Sequence, residues 1–121
     1  MSANDAYLAV FLGRKTNPRM QAWMALPEAE RRAREQEGVA AWKAWMEKHQ
    51  SAVSSVGGPL GKTKKVSERG LEDVSNEMGA FMLVRADSLE AAARLFENHP
   101  HFTVFPGESV KVMPILPIPG A

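Results

Sequence analysis

Short runs that are apolar at every position alternate along this chain with stretches of helical spacing. Tyr7-Leu8-Ala9-Val10-Phe11-Leu12, closed by Gly13, is such a run, the pattern of a strand buried on both faces. Thr16-Asn17-Pro18 reads as a turn or cap that opens a short helix through Met24. Leu26-Pro27 punctuates, and Glu28 to about Gln50 follows, rich in the helix formers Glu, Arg, Ala and Lys. Gly38 interrupts this stretch and predicts a bend or a break. Val39, Trp42, Met46 and His49 recur at helical spacing and predict the stripe that faces a sheet.

A second strand is expected at Ala52–Val56, then a loop over Gly57-Gly58-Pro59-Leu60-Gly61. Thr63 to Ser67 suggests one arm of a hairpin that turns at Arg69-Gly70. Ala80-Phe81-Met82-Leu83-Val84 is again apolar throughout. Asp87 or Ser88 caps the next helix, with Asp87 and Glu90 at capping-box spacing. That helix runs from about Leu89 to Glu97, with Leu89, Ala92, Ala93 and Phe96 on one face, and Asn98 and Pro100 end it. Ser109 to Met113 alternates, and the proline-bearing tail from Pro114 to Ala121 cannot join a central strand.

The order strand, helix, strand, strand, helix, strand predicts an α+β domain of ferredoxin-like βαββαβ type over residues 1–121, with its core at about 7–114. Its antiparallel sheet would have the order 4-1-3-2. The first and third strands, the doubly apolar ones, take the centre, and right-handed crossovers put both helices on one face. Grease then remains on the other face. A patch of that kind marks an interface, and the simplest cover is a second copy, giving a homodimer packed sheet against sheet.

Composition narrows the classes further. Lys and Arg number 15 against 14 Asp and Glu, a near-balance that gives no field for steering toward nucleic acid or an anionic membrane. Cysteine is absent, which removes disulfides, thiolate nucleophiles and Cys-ligated zinc. The segment Met1-Ser2-Ala3-Asn4-Asp5 lacks the basic and apolar regions of a secretory signal, and no apolar run approaches a membrane span. A soluble cytoplasmic protein is the expectation.

Several segments together resemble the YCII-related proteins. They are Tyr7–Gly13, Ala41-Trp42-Lys43-Ala44-Trp45, Gly57-Gly58-Pro59-Leu60-Gly61, Met78-Gly79-Ala80-Phe81-Met82-Leu83-Val84 and Ala86-Asp87-Ser88-Leu89-Glu90-Ala91-Ala92. The resemblance covers about Tyr7 to Pro114. It implies a dimeric α/β-barrel made of two ferredoxin-like halves. Through likeness to muconolactone-isomerase-type barrels, it also implies an enzyme acting on a small metabolite. Two features depart from the family. Many relatives carry Asp-Gly-Pro-Phe ahead of the third strand, where this chain reads Asp73-Val74-Ser75-Asn76-Glu77. The family's early histidine has no counterpart, since the first histidine here is His49, so a family His–Asp pair does not carry over.

Candidate chemistry gathers in two places. His99-Pro100-His101-Phe102 holds two imidazoles, suited to proton transfer near neutral pH, on either side of a proline. His101 and His99 are the acid/base candidates; the plainer role is a helix-end histidine and a loop histidine. Ser75, Asn76 and Glu77 precede a central strand, where they can orient a ligand or simply form a solvated turn. Trp45, at the shoulder of the core stripe, is a candidate ligand contact, against a packing role for it, Trp42 and Trp23. Lys62, Lys64, Lys65 and Arg69 suit either a small anion or a solvated strand edge. Gly57 to Thr63 lacks the spacing of a phosphate-binding loop. No metal spacing or cofactor motif is present. The expectation is a dimeric small-molecule-binding barrel, an acid/base enzyme or a non-catalytic binding or protein-interaction module, with an unidentified small ligand.

Overall fold

The computed structural model describes residues 5–120. The chain runs β1 (Asp5–Leu12), α1 (Pro18–Met24), α2 (Glu28–Lys48), β2 (Val53–Pro59) and then a hairpin of β3 (Thr63–Ser67) and β4 (Gly70–Val74). It continues through β5 (Met78–Ala86), α3 (Leu89–Arg94), α4 (Pro100–Thr103) and β6 (Ser109–Pro114). The main sheet has the order β2-β5-β1-β6 and is antiparallel. Set aside the hairpin, which forms a separate two-stranded sheet, and the result is the expected 4-1-3-2 ferredoxin-like arrangement.

The two doubly apolar runs occupy the centre because only there does each strand have neighbours on both sides. Tyr7, Ala9 and Phe11 of β1 and Met82 and Val84 of β5 project to one face, where Trp45 of α2, Ala92 of α3 and Phe96, just beyond α3, cover them. Leu8 stands opposite Leu83 and Met113, and Val10 opposite Phe81, on the face that no helix covers. The two edge strands each end in proline, Pro59 in β2 and Pro114 in β6.

Four local expectations need correction. Gly38 neither bends nor breaks α2, which is continuous over 21 residues. Gly38 is buried because the Phe105 ring rests where a Cβ would be, so its reason lies in tertiary packing. Val39 is 50% exposed and drops out of the stripe, whereas Trp42 and Met46 do pack against the core, beside the buried Gly38 and Trp45. β2 does not stop at Val56 but continues through Gly57-Gly58-Pro59 with two register shifts. Gly57 has φ of +59°, and a Cβ there would run into the Phe81 carbonyl, so this irregular strand needs glycine. Finally, α3 is shorter than expected, and the chain re-enters helix as α4, whose N-cap is His99. Of the two candidate caps of α3, Ser88 holds the place, its hydroxyl accepting from Ala91 N at 3.1 Å.

Candidate functional site

A groove of about 1170 Å³ opens where β1 ends and β5 begins. Its floor is built by backbone pairing. Gly13 N donates to Glu77 O at 2.9 Å, and Leu60 N donates to Gly79 O at 2.9 Å. One wall is Arg14, Lys15 and Thr16 with Met20 of α1; the other is the root of the hairpin, Leu60 to Lys64 and Asp73 to Glu77.

Asn76 fixes that root. Its Nδ2 donates to Thr63 Oγ1 at 2.6 Å while its Oδ1 accepts from Met78 N at 2.7 Å, tying the hairpin to the start of β5. The groove carries more cation than anion: Arg14, Lys15, Lys62 and Lys64 face Asp73 and Glu77. Arg14 is partly committed. Its Nη2 lies 3.0 Å from Glu108 Oε1, and the hydrogen bonds from Arg14 hold the Glu108 carboxyl well down, at about 2. The Arg14 guanidinium is raised in turn, by Glu108 and more weakly by Glu77. Lys64 pairs with Asp73 at 2.7 Å. Lys15 and Lys62 make no ion pair among the described residues, so theirs is the charge left for a ligand.

The histidines lie elsewhere, in the aromatic core beside the sheet. His99 is fully buried, its ring 4.5 Å from Trp42, 4.7 Å from Trp45 and 5.1 Å from Phe11, centroid to centroid. Its Nδ1 accepts from His101 N at 2.9 Å, so the proton of the neutral ring sits on Nε2, which has no hydrogen-bond partner. Burial first, then the His101 and His49 charges, lower the His99 pKa to about 3. His101 lies over Gly107, whose hydrogen leaves the space that the ring fills. Its Nε2 is 2.9 Å from Leu12 O. Burial lowers its pKa as well, against backbone hydrogen bonds to Leu12 and Ser109. Neither imidazole forms an ion pair with a carboxylate among the described residues. Nor do those residues contain a His, Asp and Glu group able to hold a metal.

Ser75, Asn76 and Glu77 are thus brought together in the groove, whereas Trp45, His99 and His101 are not part of its lining. Trp45 is buried, stacks on Phe96 at 5.2 Å and donates from Nε1 to Leu95 O at 3.1 Å. His101 comes nearest to the groove, since Leu12, whose carbonyl it meets, adjoins Gly13 in the groove floor. Arg14 and Lys15 escaped notice in the sequence, and Thr16 stood out only as part of a turn. The available signal was a basic pair directly after the end of a central strand.

No family model matches the chain, and no curated protein matches it. Among solved structures it is similar to TftG, the 5-chloro-2-hydroxyhydroquinone dehydrochlorinase of Burkholderia phenoliruptrix AC1100, in complex with 2,5-dihydroxybenzoquinone. The TM-score is 0.51 at 19% identity, over 89% of this chain and 90% of that one. At this identity the likeness is one of fold, and it agrees with the ferredoxin-like α+β architecture read from the strand order.

Proposed function

We propose that this chain is a cytoplasmic, YCII-like homodimer that binds a small organic anion in the groove between Gly13–Thr16 and the root of the β3–β4 hairpin. The observation that carries the reading is the surplus of cationic side chains there. Lys15 and Lys62 supply charge, Thr63, Ser75 and Asn76 supply polar contacts, and Met20, Leu60 and Met78 supply apolar surface. A ligand with an anionic head and a short carbon body meets all three needs. The fold neighbour was solved with a small oxygen-rich ring compound, which makes such compounds a sensible starting panel. Homodimerisation has its support in the sheet face away from the helices, where Leu8, Phe81 and Leu83 are only half-buried and in a two-sheet barrel would pack on their symmetry mates.

Binding without chemistry is the leading reading, because His99 and His101 are engaged with the backbone and lack a carboxylate partner. Acid/base catalysis is the second reading. It is favoured by one contact, that of His101 with the Leu12 carbonyl next to the groove floor.

The test is a thermal-shift and calorimetric screen of small carboxylates and hydroxyquinones, 2,5-dihydroxybenzoquinone included. The expected outcome is a hit whose affinity falls about tenfold or more, about 1.4 kcal/mol, in the double variant Lys15→Ala, Lys62→Ala. A hit indifferent to both lysines would remove the groove as its site. Turnover of that hit, lost in His101→Ala with binding intact, would promote the second reading over the first.

A further inference from the structure

We propose that His101 is the positioning residue of the groove, setting the place and direction of Arg14 and Lys15 through the Leu12 carbonyl without touching the ligand itself. This rests on the groove reading and goes further, in naming what holds the basic wall where a ligand needs it.

The wall consists of side chains on a loop, and such side chains bind well only when other groups fix them. β1 leaves regular pairing with β5 between Phe11 and Leu12, and an irregularity of that kind re-aims the chain beyond it. What lies beyond is Gly13, Arg14, Lys15 and Thr16, the wall itself. At the point of departure the Leu12 carbonyl accepts two hydrogen bonds, from His101 Nε2 at 2.9 Å and from Glu108 N at 3.0 Å. Glu108 in turn holds Arg14, its carboxylate accepting from Arg14 N, Nε and Nη2. An exposed ion pair contributes little alone and costs side-chain freedom, so this one needs both of its backbones set beforehand. His101 sets both. Its ring meets Leu12 just before Arg14, and its carbonyl accepts from Gly107 N at 2.8 Å just before Glu108.

His101 can do this because it is itself fixed to the core. Its N donates to Nδ1 of the fully buried His99 at 2.9 Å, and its ring stands edge-on to Phe11 with centroids 5.3 Å apart. Beneath the ring position 107 has to be glycine, since a Cβ there would lie 2.2 Å from the imidazole. Arg19 of α1 grips the same segment, its Nη1 donating to Gly107 O at 2.9 Å. The Gly107 end thus has a second support. Among the described residues, His101 is the only side chain hydrogen-bonded to the Leu12 carbonyl.

Two substitutions separate the hydrogen bond from the packing. His101→Gln keeps an N–H donor at similar reach and removes the ring; His101→Phe keeps a ring over Gly107 and removes the donor. Circular dichroism checks that both fold, and His101→Ala replaces His101→Phe if the latter does not. The first readout needs no ligand: NMR titration of the Glu108 carboxyl, which sits at about 2 while Arg14 holds it. It should rise toward the ordinary 4.5 in His101→Phe and stay low in His101→Gln. The second readout is calorimetric binding of 2,5-dihydroxybenzoquinone and of succinate. Affinity should fall about tenfold or more in His101→Phe and recover in His101→Gln.

A Glu108 titration unmoved in His101→Phe would overturn the inference, whatever the groove binds. So would the reverse order, with His101→Gln impaired and His101→Phe normal, the mark of a ring that only packs. A titration that moves while both affinities hold would overturn the positioning role and leave the groove reading standing. Failure of both probes to bind the unaltered chain would overturn the groove reading and this inference together.

Discussion

The imidazole of His99 is held in one tautomer by the amide of His101, and the surrounding indoles keep water from its other nitrogen. Such a ring resists protonation while the chain is folded and accepts a proton readily once it unfolds. The folded pKa of about 3 lies below the usual 6.5, so the unfolded state binds more protons between those values and stability falls as pH drops through that window. Glu108, also depressed, at about 2 against 4.5, acts in the same direction but only below its own ordinary value. Between about pH 4.5 and 6.5 the slope therefore belongs to the histidines, at up to about 1.4 kcal/mol per pH unit for each proton taken up. Urea unfolding across that range should show it, and His99→Phe should flatten it. Loss of the α4 cap in that variant should cost about 1 kcal/mol at pH 7. An unchanged slope would mean that His99 is not the group responsible. The two histidines were conspicuous in the sequence, but their direction was not legible there. That depended on Trp42, Trp45 and Phe11, which lie far away along the chain.

At the level of elements, the central strands were legible because they are apolar at every position, a pattern that a short segment adopts when it has neighbours on all sides. α2 was legible in extent from its helix formers, and its outer side is laced by pairs such as Glu28 with Arg32 and Glu30 with Arg34. Gly38 misled, because a glycine required by the Phe105 ring looks the same in sequence as one that ends a helix. β2 misled for a related reason. Gly-Gly-Pro reads as a loop, yet here it is a bulged edge strand passing close to Phe81. Gly57→Ala should therefore destabilise the fold by about 1–3 kcal/mol, from the φ penalty and the collision with backbone together. Gly61→Ala, with nothing near its added carbon, should change stability far less. Chemical denaturation of the two variants side by side checks the contrast, and equal effects would mean that β2 does not approach β5 this closely. The four-residue α4 was beyond reach, being too short to show any period.

For the whole molecule, half of the candidate site could be read in advance. Ser75, Asn76 and Glu77 were singled out as a polar cluster before a strand, and they do line the groove. Arg14 and Lys15 face them only because β1 and β5 pair side by side, which spacing along the chain does not reveal. A groove that relies on exposed lysines should be sensitive to salt. Raising ionic strength from about 0.01 to 0.15 M shortens the Debye length from about 30 to 8 Å, and the affinity for an anionic ligand should fall accordingly in calorimetry. A salt-independent affinity would point to apolar contacts as the main attraction.

Pro59 and Pro114 stand at the outer margins of the sheet and withhold backbone donors there. Sideways recruitment of further strands is thereby discouraged on both flanks. In the proposed homodimer, assembly through the broad surface would end after one pairing, so concentrated solutions of this protein should yield a finite particle in preference to amyloid-like growth.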